Sequence, residues 1–508
     1  MDVRQSGRLM GLVMTVLFSL PSTAHAHAPA PAPPVESRLE YLSVDEISRR
    51  MERNELSAAM FVLYLQRRIA ALDKQGPKIN AVIELNPEAL AIAEFLDRER
   101  KSGYVRGPLH GIPVLLKDNI DTSDQMQTSA GSLAMVGDPP AKDAFIVQRL
   151  REAGAIILGK TNLSEWAAFR DPALPSGWSG RGDQTRNPHL LSGDVCGSSS
   201  GSAAATAAGF APLAVGTETA GSIICPASLN GVVGIKPTVC LLSRSGIIPV
   251  THKLDTPGPM ARTVREAALL LNAMRGSDPA DPVRKPHGQD AVDYTALLRP
   301  HTLVGKRIGY PAKFDRSGLP LLLDPQFSQA LELIQAAGAT LIPVDLKDPS
   351  SARLDEAFQM GIQRELPRYL ATRTGIPAQT LNDLLLFNAA NAEGPGQATL
   401  IAASKVVFDE QTYNHLWGMI QGENAAAIDR LLVTHQLDAL VSDVASPAMN
   451  VAPLAGYPGV MVPTGIDEEG APTSIFFYGP RWSEARLLAL AYGYEQVSNA
   501  RRAPEFKP

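Results

Sequence analysis

The chain has 508 residues, of which 45% are hydrophobic and 19% are charged. This length suits one large α/β domain or two to three ordinary domains, and this composition excludes an intrinsically disordered protein. The formal net charge is -5 and no dense block of Lys or Arg occurs, which argues against nucleic acid as a partner.

The N-terminus has the pattern of a secretory signal peptide. Arg4 and Arg8 precede an apolar run, and the small residues Ala24 and Ala26 follow it. The run is about 12 residues long, short of the roughly 20 that a membrane span needs; an uncleaved anchor is the alternative. We predict a secreted or periplasmic protein, free of the membrane after cleavage, with a signal peptide at 1–26, a Pro/Ala linker at 27–40 and one large domain at 41–508.

Residues 43–103 are predicted to be mainly helical. From Ser43 to Leu72 apolar residues recur at helical spacing, and Ser43 and Asp45 are typical helix-start residues. A Gly/Pro turn then introduces a short apolar strand at 112–116, and Lys117 directly follows this strand. The lysine therefore stands where a buried strand ends.

Strand and helix patterns alternate beyond this point, which predicts a sheet covered by helices. The prediction places helices at 144–153, 262–274, 327–337 and 484–501, strands at 155–158, 232–237, 246–249, 306–310, 340–344, 437–441, 459–463 and 474–477, and loops at 159–162, 176–188 and 392–396. Residues 350–430 read as a helix-rich insertion. We expect this insertion to shape a pocket.

Two clusters of small and hydroxylated residues lie at 197–202 and 216–222, with an alanine-rich helical run between them. Glycine permits tight turns and close approach to a ligand. A serine on such a turn can expose its hydroxyl while backbone N–H groups converge on one point, as in an oxyanion hole. The two clusters are therefore candidate parts of one acyl-transfer site, although Gly/Ser clusters also mark ordinary turns.

Cleavage of a carboxamide needs a nucleophile, a base and donors for the oxyanion. A metal site is not indicated, because the chain has no H-E-x-x-H or C-x-x-C and its close pair His25 and His27 straddles the predicted cleavage point. An α/β-hydrolase esterase is an open alternative: GSSSG fits G-x-S-x-G with Ser199 as nucleophile and His252 or His435 as base. The strand that should precede such a nucleophile is weak at 191–196.

Lys117 is the other candidate base. Burial at the end of an apolar strand favours the neutral amine, which can accept a proton. Asp118 would oppose this shift if its carboxylate lay close, but strand alternation points the neighbouring side chain to the other face.

Three runs carry a resemblance to a known family: GIPVLLKDN around Lys117, CGSSSGSAAATAAG around Ser198, and GTETAGSIICPASLNGVVGIKPT around Ser222. Together with GKTNLSEWA and DTPGPMARTV they resemble, in order, the amidase signature family of serine hydrolases over most of residues 40–500. The resemblance implies one large α/β domain with a mixed central sheet covered by helices on both faces. It implies an amidase that needs no metal or organic cofactor.

The resemblance also implies roles. Ser222 would be the acylated nucleophile, Ser198 a bridging serine that follows a cis peptide bond, and Lys117 the base. The backbone N–H groups of Thr219, Ala220, Gly221 and Ser222 would form the oxyanion hole. Position 220 departs from the family, where glycine or an acidic residue is expected, but an alanine N–H can still donate.

A narrower resemblance is carried by the runs RGPLHGIPVLLKDNI, KTNLSEWAAFR, SGWSGRGDQTRNP, CGSSSGS and GTETAGSI. They look most like bacterial peptide amidases, which release ammonia from the C-terminal amides of peptides. An aryl acylamidase or carbamate hydrolase with the same three catalytic groups is the alternative, and a non-catalytic amide-binding or assembly protein is another. Candidate substrate-binding residues are Ser199, Trp178, Phe387 and Trp417, with core packing as the alternative for the aromatic residues. We expect a peptide or small-molecule amide as the binding partner, and a monomer.

The chain has three cysteines, Cys196, Cys225 and Cys240, so at least one is unpaired and no disulfide framework is implied. Cys196 and Cys225 flank the two small-residue clusters. We interpret them as small buried apolar residues, with a catalytic thiol as the alternative.

Overall fold

The computed structural model describes residues 38–281, 292–312, 325–349, 353–391 and 396–508. The predicted signal peptide and nearly all of the predicted linker lie outside these residues, so both stay predictions. No helix in the described part of the chain is long and apolar enough to cross a membrane.

Thirteen strands occur in these segments: β1 Val82–Leu85, β2 Pro113–Lys117, β3 Ile156–Thr161, β4 Trp178–Ser179, β5 Asp183–Gln184, β6 Leu213–Glu218, β7 Val233–Lys236, β8 Thr256–Ala261, β9 Arg307–Pro311, β10 Thr340–Val344, β11 Ala439–Ser442, β12 Gly459–Ile466 and β13 Pro472–Tyr478.

Fourteen α-helices occur in the same segments: α1 Val44–Glu52, α2 Ala58–Leu72, α3 Ala89–Lys101, α4 Phe145–Glu152, α5 Ser200–Ala207, α6 Ile224–Leu229, α7 Val264–Met274, α8 Pro325–Ala336, α9 Leu354–Leu370, α10 Leu381–Ala390, α11 Ala398–Lys405, α12 Glu410–His435, α13 Ala448–Leu454 and α14 Glu484–Ser498.

One mixed sheet organises the described chain. Its eleven strands follow the order β1-β3-β2-β6-β8-β7-β12-β13-β11-β9-β10, and β4 and β5 form a separate hairpin. The β2–β3, β2–β6, β9–β10 and β9–β11 pairs are parallel, and the other pairs are antiparallel. Every residue of β2, β6, β7 and β8 is buried, so both faces of the sheet centre are covered. The predicted fold, a mixed sheet in one large domain, is confirmed.

The helix-rich region lies beside the sheet and has an apolar cluster of its own. Helices α9 to α12 supply most of this cluster, and Leu163, Trp166 and Ala130 from the sheet domain join it. The prediction that residues 350–430 are mainly helical is therefore confirmed for the described residues. The predicted loop at 392–396 lies almost wholly outside the described residues.

Several predicted boundaries are wrong. The helix predicted over 43–72 is two helices, because the chain turns after α1 and the Ser57 side chain accepts from Met60 N to begin α2. Strand β1 interrupts the region predicted to be helical up to Gly103. The segment predicted as a loop after residue 158 continues as β3, where the fully buried Lys160 donates to the Ile120 carbonyl at 2.7 Å.

Two central strands were not predicted, and one predicted strand is absent. The missed strands are β6 and β8, which lie side by side at the centre of the sheet. Residues 246–249 form no strand; Ile247 makes only an isolated bridge with Ile120. The buried backbone there is satisfied by loop contacts such as Ile248 N donating to Asn119 O at 2.9 Å.

Candidate active site

The site forms where two neighbouring parallel strands end. Leu116 of β2 pairs with Val215 of β6, so Lys117 at the end of β2 lies beside Thr217 near the end of β6. Ligand sites in α/β sheets lie outside the carboxyl ends of such strands. Gly216 is required here by close approach, since a Cβ at this position would lie 2.8 Å from Ser199 Oγ.

Lys117 is fully buried and its amine is surrounded by oxygen atoms. Nζ lies 2.8 Å from Ser198 Oγ and 3.0 Å from Ser199 Oγ. It also lies 3.1 Å from the carbonyl oxygen of Thr217 and 3.0 Å from Thr217 Oγ1. The predicted contact between Lys117 and Ser198 is therefore present in the structure.

Burial lowers the pKa of Lys117 to about 7, although the negative charges of Glu218 and Asp255 act in the opposite direction. Asp118 does not oppose the shift: its carboxylate accepts from Gly131 N and pairs with Arg181, as the predicted strand alternation implies. A substantial fraction of Lys117 is therefore neutral near pH 7, and a neutral amine can accept a proton.

The surrounding hydrogen bonds allow Ser198 to donate a proton to this amine. Ser199 Oγ donates to the Thr217 carbonyl at 3.0 Å, so the Ser199 proton is already engaged. Thr217 Oγ1 accepts from Asn119 Nδ2 at 3.0 Å. A neutral lysine has two N–H donors and one lone pair, and this lone pair can accept from the Ser198 hydroxyl, 2.8 Å away.

Thr217 and Asn119 were not predicted as site residues, although both belong to motifs that were singled out. Thr217 lies inside GTETAGS and Asn119 ends GIPVLLKDN. Thr217 accepts from the lysine amine, Asn119 donates to Thr217, and both contacts depend on β2 and β6 being adjacent. Since β6 was not predicted as a strand, the sequence analysis did not place Thr217 beside Lys117.

The predicted nucleophile Ser222 contacts the residue that follows the predicted bridging serine, Ser198. The Gly197–Ser198 peptide bond is cis, as the family resemblance implies. Directly after it, Ser199 N donates to the Ser222 carbonyl at 3.1 Å. Ser198 is fully buried, whereas Ser222 has an exposed fraction of 8%, so Ser222 is the more accessible of the two hydroxyl-bearing residues.

The turn that presents Ser222 is built around Glu218. Its buried carboxylate accepts from Ile223 N at 2.7 Å and Ile224 N at 3.1 Å. A hydrogen bond from Gly221 N also acts to lower the pKa of this carboxyl, while burial, the larger effect, raises it. Gly221 has φ +81°, a left-handed conformation that favours glycine.

One of the four predicted oxyanion donors, Gly221, has a second partner for its N–H, the Glu218 carboxylate. The N–H groups of Thr219, Ala220 and Ser222 stay predicted oxyanion donors. Thr219 is fixed in turn by Asp255, which accepts from Thr219 Oγ1 at 2.7 Å and from Val250 N and Thr251 N at 2.8 Å.

Comparison with known proteins agrees with this geometry. The amidase family model matches residues 61–451, which is well over half of the chain. This protein belongs to the amidase family. The structure of native peptide amidase from Stenotrophomonas maltophilia is 44% identical, with a TM-score of 0.86, and the match covers 94% of this chain and 100% of that one.

Sequence relatives extend across kingdoms. An Arabidopsis thaliana protein named a probable amidase is 37% identical over 486 residues, 92% of each chain. One component of the glutamyl-tRNA(Gln) amidotransferase from Carboxydothermus hydrogenoformans is 32% identical, covering 92% of this chain and 99% of that one. Family membership and the fold it predicts are thus established, and this amidase is an amide-hydrolysing enzyme.

Two of the predicted substrate-binding residues line one cavity. Trp178 and Phe387 both face an open pocket of about 600 Å³ that also includes Glu165, Arg170 and Asn388. Arg170 pairs with Glu165 at 2.8 Å and lies over the Trp178 ring at 5.4 Å. Residues from the sheet domain and from α10 of the helix-rich region therefore line the same cavity.

The other two substrate-binding predictions are wrong. Trp417 is fully buried and packs edge-on against Phe358, because α12 turns this face into the second apolar cluster. Ser199 is also fully buried. The described hydrogen bonds of its hydroxyl go to Lys117 and Thr217.

These contacts also exclude Ser199 as an α/β-hydrolase nucleophile. His252, one candidate base, directs Nδ1 to Glu365 at 2.6 Å, and His435, the other, lies at the end of α12. The partners of Ser199 are a lysine amine and the backbone and side chain of one threonine. The esterase alternative therefore lacks its catalytic base.

The cysteine interpretation is wrong for two of the three residues. Cys196 and Cys225 form a disulfide bond, and neither is a free, buried apolar side chain. Cys240 is the free cysteine of the described chain and is partly buried. The bond joins segments that flank Ser198 and Ser222, which makes it part of the site's construction.

Proposed function

We propose that this amidase hydrolyses the C-terminal carboxamide of peptides through an acyl-enzyme formed on Ser222, with Ser198 and Lys117 transferring the proton. The observation that carries the proposal is the 2.8 Å contact between Lys117 Nζ and Ser198 Oγ inside a buried hydrogen-bond network. The likeness to peptide amidase, at 44% identity over nearly the whole chain, supports the substrate class.

In the proposed reaction, neutral Lys117 accepts the proton of Ser198 while Ser198 accepts the proton of Ser222. Ser222 Oγ then bonds to the amide carbon, and the former carbonyl oxygen becomes an oxyanion that the N–H groups of Thr219, Ala220 and Ser222 stabilise. The proton returns through Ser198 to the amide nitrogen, so that ammonia leaves. Water, deprotonated by the same route, hydrolyses the ester and releases the peptide acid.

The cavity beside Trp178 supports a peptidyl acyl group. Ligand pockets of roughly 300–1,000 Å³ accommodate drug-sized molecules, and about 600 Å³ lies within this range. Ammonia, by contrast, needs almost no space. The proposal assigns this cavity to the acyl group on the basis of its size, since its lining residues do not include Lys117, Ser198 or Ser222.

A substrate panel tests the proposal. The purified protein should release ammonia from N-acyl dipeptide amides with a higher kcat/KM than from acetamide, and higher than its release of aniline from acyl anilides. A serine-directed fluorophosphonate should add to Ser222, as located by peptide mass spectrometry. Faster release of aniline would favour the aryl acylamidase alternative, and a protein that forms no adduct and cleaves no amide would be a non-catalytic binding protein.

The expected pH dependence of kcat/KM follows from the titration of the proposed base, Lys117. Only neutral Lys117 accepts a proton, and burial lowers its pKa to about 7. We therefore expect kcat/KM to fall about tenfold per pH unit below pH 7 and to level off above it. The measurement is kcat/KM between pH 5 and 9, with circular dichroism confirming the folded state at each pH.

Asp255 provides the control for that experiment, since burial raises its pKa to about 6 and it would titrate nearby. The Asp255→Asn variant removes this titration. If Lys117 governs the acid limb, the variant keeps an acid limb at a lower absolute rate, and the limb moves to lower pH because the Asp255 charge raises the pKa of Lys117. A limb that disappears in Asp255→Asn would assign the pH dependence to the carboxyl instead.

A further inference from the structure

The disulfide bond lies close in sequence to both proposed catalytic serines, and stabilisation of the fold alone would not require this position. Cys196 precedes Ser198 by two residues, in the loop before α5. Cys225 follows Ser222 by three residues, in the first turn of α6. The bond thus joins the chain segment of the proposed bridging serine to that of the proposed nucleophile.

Non-covalent contacts also connect these segments. Ser199 N donates to Ser222 O at 3.1 Å. Asn230 Nδ2, directly after α6, donates to Val195 O at 3.0 Å, and Asn187 Nδ2 donates to both Asp194 O and Leu229 O. Neither α5 nor α6 has a side-chain hydrogen bond at its N-cap, and α6 is only six residues long. Helix starts without such caps are less firmly fixed. The covalent bond is therefore the strongest link between the two serine-bearing turns.

Cys196 also has an unusual backbone conformation. Its φ is +47°, in the left-handed region that non-glycine residues rarely adopt. It is held there by Cys196 N donating to Asp194 Oδ1 at 2.8 Å and by Ser200 Oγ donating to its carbonyl. Such a conformation persists only where the surrounding structure fixes it. Release of the sulfur would remove one of these constraints.

The bond is accessible although the serines are not. Cys196 and Cys225 are both partly exposed, whereas Ser198 and Ser222 are buried. Because both cysteine residues are partly exposed, we expect a reductant in solution to reach the bond without unfolding of the sheet. Disulfides of this kind persist in oxidising compartments, which accords with the predicted export.

From these observations we propose that the Cys196–Cys225 disulfide is a positioning cross-link that aligns Ser198 with Ser222, so that its reduction slows catalysis. The inference rests on the proposed function of the two serines. Reduction by a phosphine consumes one water: two thiols form, and the phosphine becomes its oxide. The two turns are then joined only by non-covalent contacts, and the hydroxyl pair loses its alignment.

The experiment reduces the folded protein with tris(2-carboxyethyl)phosphine and follows thiols, structure and kinetics together. Because the chain has three cysteines, titration should detect one thiol before treatment and three after it. Well below the thermal transition, with an unchanged circular dichroism spectrum, we expect kcat to fall at least tenfold while KM changes less than threefold. Reoxidation should restore kcat.

Two variants sharpen the result. Cys196→Ser/Cys225→Ser should reproduce the kinetics of the reduced protein and be insensitive to the phosphine. Cys240→Ser, which alters only the free cysteine, should lose activity on reduction as the wild type does. If the double variant does not fold, reduction of the preformed protein tests the same point.

The outcomes separate this inference from the proposed function. If three thiols are titrated and kcat is unchanged while only the thermal midpoint falls, the bond is merely stabilising and the inference is wrong. If the oxidised protein cleaves no carboxamide at all, the proposed function has failed instead. A rise in KM with constant kcat would assign the bond to substrate binding and would also overturn the positioning role.

Discussion

Replacement of Ser222 by alanine is expected to lower kcat on the order of 10,000-fold or more. The substitution removes the only atom that would form the acyl bond, and loss of the nucleophile in serine hydrolases abolishes all but the residual effect of binding and oxyanion stabilisation. Since the hydroxyl is small and the residue retains 8% exposure, the fold should tolerate the change. The measurement is single-turnover ammonia release together with fluorophosphonate labelling, and both should disappear.

Ser228 offers a matched control. It is a fully buried serine on α6, and its hydroxyl has no hydrogen-bond partner among the described residues. Ser228→Ala should therefore keep kcat within about twofold, because it removes an equivalent atom without removing an interaction. Full activity of Ser222→Ala, accompanied by labelling at another serine, would contradict the proposed nucleophile.

The Ser199→Ala variant tests whether the hydroxyl of Ser199, rather than that of Ser222, is the nucleophile. Ser199 supports Lys117 and the Thr217 carbonyl, so its loss should reduce the rate much less than loss of Ser222. Covalent labelling of Ser222 should persist in this variant. The comparison matters because Ser199 alone fits the G-x-S-x-G pattern, which shows that a short pattern can identify the wrong member of a serine cluster.

The order of motifs sufficed to predict the fold and the Lys117–Ser198 contact, but the central strands escaped prediction. Strand β8 contains Pro257 and Pro259, and prolines argue against a central strand. The structure accommodates them because β7 pairs only with Met260 and Ala261. Because the two prolines are two residues apart, the backbone N–H groups that they lack would point to the same side of the strand. No partner strand needs a hydrogen bond from them on that side. This could not be inferred from local sequence.

The disulfide and the burial of Trp417 were hidden for a different reason. Pairing of Cys196 with Cys225 depends on Cα atoms 6.0 Å apart, although the residues are separated by 29 positions. Likewise, Trp417 is buried only because the helix-rich insertion packs its helices against each other. Both depend on tertiary proximity. Trp178 and Phe387, in contrast, meet in one cavity as their prediction as pocket residues requires.

Lys117→Met is expected to lower kcat about 1,000-fold, because general base catalysis contributes roughly 100- to 10,000-fold. Methionine nearly preserves the volume of this fully buried side chain and cannot accept a proton. The acid limb near pH 7 should disappear from the residual activity. Retention of that limb in the variant would mean that another group is the base.

A second measurement distinguishes lost chemistry from lost structure. The folded pKa of Lys117, about 7, lies below its usual value of 10.5. The unfolded chain therefore binds more protons between these values, and the wild-type free energy of unfolding gains a contribution that rises with pH from 7 to about 10.5. Relative to wild type, Lys117→Met should lack this contribution, a difference of about 1.4 kcal/mol per pH unit within that window.

Lys160→Met is the control for that comparison. Lys160 is also fully buried, and burial lowers its pKa, but its amine donates to Ile120 O and Thr128 Oγ1 rather than to the serines. This variant should change the pH dependence of stability in the same direction while the folded fraction keeps the acid limb of catalysis. Replacing a lysine that acts as a base should thus change the pH dependence of catalysis, whereas replacing one that only packs in the sheet should not. Both replacements should alter the pH dependence of stability in the same direction.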